Sequence, residues 1–143
     1  MTWSVHRTFA VAAILTVGVA VVWGFVLVGG PEAGRTEKMD ARRLDDLQAI
    51  EAEVQDLVFD RDHKTTLKQP LPPSLQEVAA KARYRRLTLE DPVSGEPYEY
   101  AVTGPTTYRL CATFARERAS SYQVFWNHPA GRHCFTIDAL DAP

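Results

Sequence analysis

The sequence has no surplus of basic side chains: 16 lysines and arginines stand against 18 aspartates and glutamates, for a net charge of -2. A protein that binds nucleic acid needs such a surplus to neutralise phosphates, so that class is excluded. The chain also lacks a glycine-rich phosphate loop and a Gly-x-Ser-x-Gly segment around a nucleophilic serine. We therefore expect a protein that is not an enzyme and that holds no cofactor.

Acidic residues are also absent from the first 30 residues. Residues 9–28 contain only apolar residues, glycine and one threonine. At a rise of about 1.5 Å per residue, a helix of this length spans roughly 30 Å, the thickness of the hydrocarbon core of a bilayer. The sequence predicts a short tail over residues 1–8 and a transmembrane helix over residues 9–30 that contacts the lipid bilayer.

Two other interpretations of this apolar segment stay open. A buried core helix of a soluble protein fits less well, since core helices seldom lack a polar face over their whole length. Arg7 followed by an apolar stretch is also how a secretory signal peptide begins. The stretch is longer than the usual h-region of about 7 to 15 residues, and Val28-Gly29-Gly30-Pro31 is a poor cleavage site, which favours an uncleaved anchor.

The orientation of the anchor follows from two opposing signals. Only Arg7 precedes the helix, whereas four lysines and arginines lie between residues 35 and 43, so a simple cation count places the C-terminal side in the cytoplasm. A long domain, however, translocates largely regardless of its charge. The chain has two cysteines, an even number that suits an oxidising compartment. We expect the C-terminal domain outside the cytoplasm.

The segment after the anchor begins with a linker and a long helix. Glycine and proline in residues 29–34 predict a linker over residues 31–35, followed by a soluble domain over residues 36–143. Apolar residues at steps of three and four predict a helix over about residues 36–62, which packs on its own domain or forms a two-stranded coiled coil. The apolar stripe is Leu44, Leu47, Ile50, Val54, Leu57 and Val58, and the residues expected to be solvated are Asp45, Asp46, Gln48, Glu53, Gln55 and Asp56.

A second, shorter helix is expected after a proline-rich stretch at residues 69–73. Ser74 and Glu77 form the spacing of a capping box, which predicts a helix from there to about residue 83. Basic residues then gather at the C-terminal end of this helix, where they are commonly solvated and favoured by the helix dipole but also suit an anion or a lipid headgroup. They are Lys81, Arg83, Arg85 and Arg86, around Tyr84.

The last third of the chain has the alternating pattern of β-strands. Strand candidates cover residues 98–102, 108–114, 122–126 and 133–137, separated by turns rich in glycine, proline and asparagine. The predicted fold class is α+β, with an N-terminal transmembrane helix followed by a long helix and a short helix packed on a small antiparallel sheet. In the second strand, one face is expected to be apolar: Tyr108, Leu110, Ala112 and Phe114.

The two cysteines, Cys111 and Cys134, lie on strands that can be neighbours, so a disulfide between them is predicted. Two reduced, buried thiols are the alternative if the domain is cytoplasmic. A zinc site that adds His128 and His133 is disfavoured because consecutive strand residues point to opposite faces, so His133 and Cys134 do not share one metal easily. We therefore expect no zinc.

The turn at residues 91–97 is the other candidate site. Asp91, Ser94 and Glu96 supply oxygen atoms of the kind that calcium prefers, and they define a possible ion-binding turn. An Asp-Pro-x-x-Gly turn also forms without any ion. Both interpretations of the turn stay open.

Several of these runs resemble a known family in their order. They are residues 46–50 (DLQAI), 71–75 (LPPSL) and 91–100 (DPVSGEPYEY). This order resembles the soluble part of type II secretion major pseudopilins, in which a long helix and a Pro-x-Ser-Leu helix precede an Asp-Pro turn and a strand. Together with residues 108–114 (YRLCATF) and 131–135 (GRHCF), the set is similar to a poorly characterised family of bacterial membrane proteins. The resemblance covers about residues 42–137 and implies a helix-plus-sheet fold.

The chain departs from pseudopilins at their processing site. Pseudopilins carry Gly-Phe-x-x-x-Glu before the apolar segment, whereas here Gly24-Phe25 lies at its far end and Gly29 stands at the position of the glutamate. We expect a non-catalytic single-pass protein of the bacterial inner membrane. Its disulfide-linked extracytoplasmic domain would bind a protein partner or support envelope structure. The alternative is a domain that senses calcium or a small ligand at the membrane surface.

Overall fold

The computed structural model describes residues 3–28, 31–60, 65–82 and 86–141. The chain divides into two compact units, Met1–Arg35 and Thr36–Pro143. The first is dominated by one helix, and the second combines helices with a three-stranded antiparallel sheet. The α+β class predicted from the sequence is therefore confirmed.

Helix α1, Trp3–Val28, lies in the first unit. Its stretch Ser4–Leu27 is long and apolar enough to cross a membrane, and none of it is buried. The hydroxyl of Thr16, the threonine within the apolar run, donates to the carbonyl of Ala12 at 2.9 Å. This bond satisfies the hydroxyl within the helix, as hydrocarbon surroundings require. Gly29 and Gly30, the last residues of the predicted span, lie outside the described residues.

Helix α2 runs over Pro31–Val58. Residues 31–35 are therefore helical, although their glycine and proline were expected to disfavour a helix. Proline is tolerated as the first residue of a helix, because its missing N–H would lack an intrahelical partner in any case. The helix ends at Val58 rather than near residue 62, and residues 61–64 are outside the described part of the chain.

The apolar stripe of α2 is buried as predicted: Leu44, Leu47, Ile50, Val54, Leu57 and Val58 all belong to one hydrophobic core cluster. The other faces of α2 are not uniformly solvated. Asp45 and Asp56 are exposed, but Glu53 is only 3% exposed, and the prediction that it faces solvent is wrong. Two further charged residues of α2, Asp40 and Arg43, are also buried.

Helix α3, Leu75–Lys81, begins at the predicted cap. The Ser74 hydroxyl accepts a hydrogen bond from the Glu77 N–H at 3.3 Å. The Glu77 carboxylate accepts from Lys81 Nζ one turn later. The helix ends at Lys81. Arg83 and Arg85 of the predicted basic cluster, and Tyr84 between them, lie outside the described residues.

Three strands form the sheet in the order β1-β2-β3: β1 is Glu99–Val102, β2 is Thr107–Phe114 and β3 is Gly131–Asp138. Both pairings are antiparallel. On β2 the predicted apolar face is buried and joins the same core cluster as the α2 stripe. The core of the second unit thus contains the inner face of the sheet and one face of α2.

The predicted strand at residues 122–126 is absent. Residues 115–130 instead form the connection between β2 and β3, which contains a 3-10 turn at Val124–Trp126. Side chains hold this connection. Asn127 Oδ1 accepts from the Ser120 N–H at 2.6 Å, and Asn127 Nδ2 donates to the Ser120 carbonyl at 3.0 Å. These bonds to side-chain groups replace a strand ladder.

Candidate functional site

A disulfide joins the central strand of the sheet, β2, to the neighbouring edge strand, β3. Cys111 on β2 lies directly opposite Cys134 on β3, and the Sγ atoms are bonded. Arg132 covers it from outside: its Nε and Nη2 donate to the Glu99 carboxylate at 2.7 and 2.6 Å, and Nη2 lies 3.8 Å from Cys111 Sγ. Because the disulfide engages both cysteine sulfurs of the chain, neither is left as a zinc thiolate.

Metal-binding groups are scarce in the described part of the chain. Among residues 3–28, 31–60, 65–82 and 86–141, no group of three or more histidines, cysteines, aspartates or glutamates is placed to hold a metal ion. The rings of His128 and His133 are 6.5 Å apart, and His133 packs edge-on against Phe135. The positions of His128 and His133 are therefore explained by packing against the aromatic rings of Phe114 and Phe135.

The predicted ion-binding turn is held by hydrogen bonds among its own residues. Asp91 Oδ1 accepts hydrogen bonds from the N–H groups of Val93 and Ser94 at 2.8 and 2.9 Å, and the Ser94 hydroxyl accepts from the Glu96 N–H at 3.2 Å. Gly95 takes a φ of +72°, which glycine adopts without strain. The turn is therefore closed by its own hydrogen bonds, and Glu96 remains exposed.

Arg43 supplies the positive charge at this turn. Its Nε donates to Asp91 Oδ2 and its Nη2 to Asp91 Oδ1 at 3.0 Å, a two-pronged contact between α2 and the turn. The guanidinium lowers the pKa of Asp91 to about 2, against the opposing effect of burial. Calcium binding by Asp91, Ser94 and Glu96 stays a prediction, and these bonds favour Arg43 over an ion as the partner of Asp91.

The same arginine contacts a second carboxylate on its own helix. Arg43 Nη1 donates to Asp40 Oδ1 at 2.7 Å, and both side chains are about nine-tenths buried. Asp40 also accepts from the backbone N–H groups of Ala115 and Arg116, at 3.0 and 2.9 Å. One arginine and two aspartates thus join α2, the turn at residues 91–96 and the end of β2. We call this set the Arg43 network.

A cavity of about 240 Å³ lies beside the Arg43 network. Asp40 and Leu44 of α2 line one side, and Arg116, Arg118 and His128 of the β2–β3 connection line the other. His128 is stacked on Phe114 with 3.6 Å between ring centroids. Burial lowers the pKa of His128 below its ordinary value, which favours the neutral form of the ring. In this cavity the His128 ring is stacked and Asp40 already accepts three hydrogen bonds.

Glu51 is an isolated acid at the edge of the core. Its side chain is half-buried, and burial raises its pKa to about 7. The fully buried Tyr108 hydroxyl finds no hydrogen-bond partner among the described residues. Burial, and then the charge of Glu51, raise the pKa of Tyr108. The charged form of Glu51 is therefore destabilised by its partial burial.

Glu51→Gln is expected to raise the melting temperature at pH 8 and to leave it unchanged at pH 4. The pKa of Glu51 is about 7 in the folded state, above its ordinary value of 4.5, because burial disfavours the charged form. The protonated side chain therefore contributes its full stability below about pH 4.5, and this stability is lost as the pH rises through 7. Thermal unfolding of both proteins from pH 4 to 8 measures the difference. The exposed Glu90→Gln serves as control, and an equal pH dependence in both variants would contradict the assignment.

No family model, curated protein or solved structure matches this chain. The sequence located the disulfide, but it missed the Arg43 network. The Asp40–Arg43 spacing of three residues was a visible signal for one pair on a helix. Nothing in the sequence marked Asp91, 48 residues further on, as the third member.

Proposed function

We propose that this chain is a single-pass protein of a bacterial inner membrane whose domain over residues 36–143 lies outside the cytoplasm and binds a protein partner or supports envelope structure without catalysis. The observation that carries the proposal is α1. Ser4–Leu27 is an apolar helix of membrane-spanning length with no buried part. A core helix of a soluble protein would be covered by the rest of the chain.

The disulfide supports the extracytoplasmic side. Protein disulfides persist in oxidising compartments and are rare in the bacterial cytoplasm. Cys111 and Cys134 lie opposite each other on neighbouring strands and account for every cysteine of the chain. The four basic residues between positions 35 and 43 favour a cytoplasmic domain by a simple count of cations. Arg43, however, is buried in its network with Asp40 and Asp91. One of the four cations thus has a structural role.

A binding or structural role is consistent with the hydrogen bonds made by the buried charged groups of the domain. The buried charges of the Arg43 network bond to one another and to backbone groups, and this holds three segments together. The resemblance to pseudopilin domains concerns the helix-plus-sheet fold and not their role. Gly29 at the position of the pseudopilin glutamate argues against filament assembly by the pseudopilin route.

A pair of fusions tests the orientation. Alkaline phosphatase joined after residue 143 is expected to be active, because it needs an oxidising compartment for its own disulfides. Green fluorescent protein at the same point is expected to be dark. Deletion of residues 1–30 is the matched control and should reverse both results. A dark phosphatase with bright fluorescence from the full chain would place the domain in the cytoplasm and refute the proposal.

A further inference from the structure

The connection between β2 and β3 exposes apolar side chains at its tip. Tyr122 is 96% exposed, Val124 66% and Phe125 39%. We call these three residues the apolar tip. Within the described part of the domain, the other large apolar side chains this exposed are Val93 and Val102, which stand singly. Exposed apolar groups that lie together mark contact surfaces, whereas single ones are ordinary.

Hydrogen bonds hold the apolar tip outward. The Ser120 hydroxyl accepts from the N–H groups of Tyr122 and Gln123, both at 3.3 Å. Arg118 and His128 exchange backbone hydrogen bonds of 2.9 and 3.2 Å at its base. Phe125 anchors the tip by packing edge-on against Trp126, with 5.1 Å between ring centroids. The fold thus pre-organises the exposed side chains, which lowers the entropy cost of binding.

The base of this connection is bonded to the beginning of α2. The Ala115 and Arg116 N–H groups donate to Asp40, and Arg116 Nη1 lies 3.9 Å from a carboxylate oxygen of Glu37. Glu37 follows the apolar helix α1, which ends at Val28, by only nine positions in the chain. The connection that carries the apolar tip is therefore bonded to the first part of α2. This part of the domain follows the membrane segment directly in the chain.

The charge of the connection differs from that of the rest of the domain. Residues 115–130 carry two arginines and one glutamate, whereas the remainder of residues 31–143 carries 13 basic and 17 acidic side chains. A local positive charge around exposed apolar groups complements the anionic lipids of a bilayer surface. Tyrosine suits this position because its ring is apolar and its hydroxyl stays in contact with water.

We propose that the apolar tip is a second membrane contact, in which Tyr122, Val124 and Phe125 insert into the headgroup region of the anionic bilayer that holds α1. This inference rests on the proposed function, because the anchor brings the bilayer within reach. Because the tether keeps lipid at a high effective concentration near the domain, three apolar side chains and the two arginines of the connection suffice for a second contact. The consequence is a domain held against the membrane surface instead of moving freely above it.

Photolabelling of the full chain in nanodiscs tests this contact. The discs contain phosphatidylcholine with phosphatidylglycerol and a lipid that carries a diazirine in its headgroup region, and adducts are mapped by mass spectrometry. Val124 and Val93 form a matched pair, since they are the same residue type with 66% and 64% exposure. We expect labelling at Val124 about tenfold above that at Val93, because only the apolar tip enters the lipid. Tyr122→Ser should reduce it several-fold.

Each outcome is decisive. Adducts at residues 9–28 but none at residues 121–125 would leave the anchor in place and refute the membrane contact, making the apolar tip a surface for a protein partner. The absence of adducts at residues 9–28 would refute the anchor itself, and the second contact with it. Equal labelling of Val124 in discs of phosphatidylcholine alone would refute the role of anionic lipid and of the arginines.

Discussion

Arg43→Met is expected to lower the free energy of unfolding of the domain by about 3 kcal/mol, because removing one partner of a buried ion pair leaves the other uncompensated. Here two carboxylates, Asp40 and Asp91, would lose the same guanidinium. Thermal unfolding of the full chain in detergent, followed by the emission of the buried Trp126, measures the change. Trp3 and Trp23, which lie in the first unit, are replaced by phenylalanine in all proteins compared.

Arg42→Met is the matched control for this variant. Arg42 precedes Arg43 on α2 but is exposed, and a surface substitution of this kind usually changes stability by less than about 0.5 kcal/mol. Arg43→Lys keeps the charge without the two-pronged geometry and should fall between wild type and Arg43→Met. If Arg43→Met and Arg42→Met unfold at the same temperature, the network does not stabilise the domain.

Removal of the disulfide has an effect of similar size. The bond closes a loop with a sequence separation of 23 residues, and the loss of chain entropy in the unfolded state then stabilises the fold by about 3 kcal/mol. For a domain of about a hundred residues this corresponds to roughly 10 to 15 °C in melting temperature. Cys111→Ala with Cys134→Ala is expected to show this decrease in the same unfolding experiment.

Reduction of the wild-type protein provides the control for the disulfide. With a strong thiol reductant, wild type should melt at a temperature close to that of the double variant, whose own melting temperature should not respond to reductant. A wild-type melting temperature that is the same with and without reductant would contradict a stabilising disulfide. Reductant also separates this effect from the Arg43 network, since Arg43→Met and wild type should lose similar amounts on reduction.

The parts of the fold that depend on local pattern were predictable. The stripe on α2 repeats at steps of three and four, and its residues are buried because one face of a helix packs against the sheet. The strand pattern at residues 108–114 and the Ser74 cap have the same local character. Cys111 and Cys134 could be paired because both lie on predicted strands, which placed them within reach of each other.

The features that depend on distant contacts were not predictable. Residues 122–126 alternate like a strand, yet the bonds between Ser120 and Asn127 fix a loop there, and that competition is invisible in the hydrophobic pattern. Asp40 and Arg43 have the composition of a solvated helix face. They are buried because the end of β2 and the turn at Asp91 pack on them, which no local pattern encodes.

The account requires an anchor that is retained and a disulfide that forms in the cell. One measurement addresses both: the intact mass of the protein from carbonate-washed membranes, after alkylation of free thiols without prior reduction. We predict a chain in the membrane pellet that still contains residues 1–30, carries no alkyl group and is lighter than the reduced chain by two hydrogen atoms. A chain that has lost residues 1–30, that washes into the carbonate supernatant or that carries two alkyl groups would contradict the account.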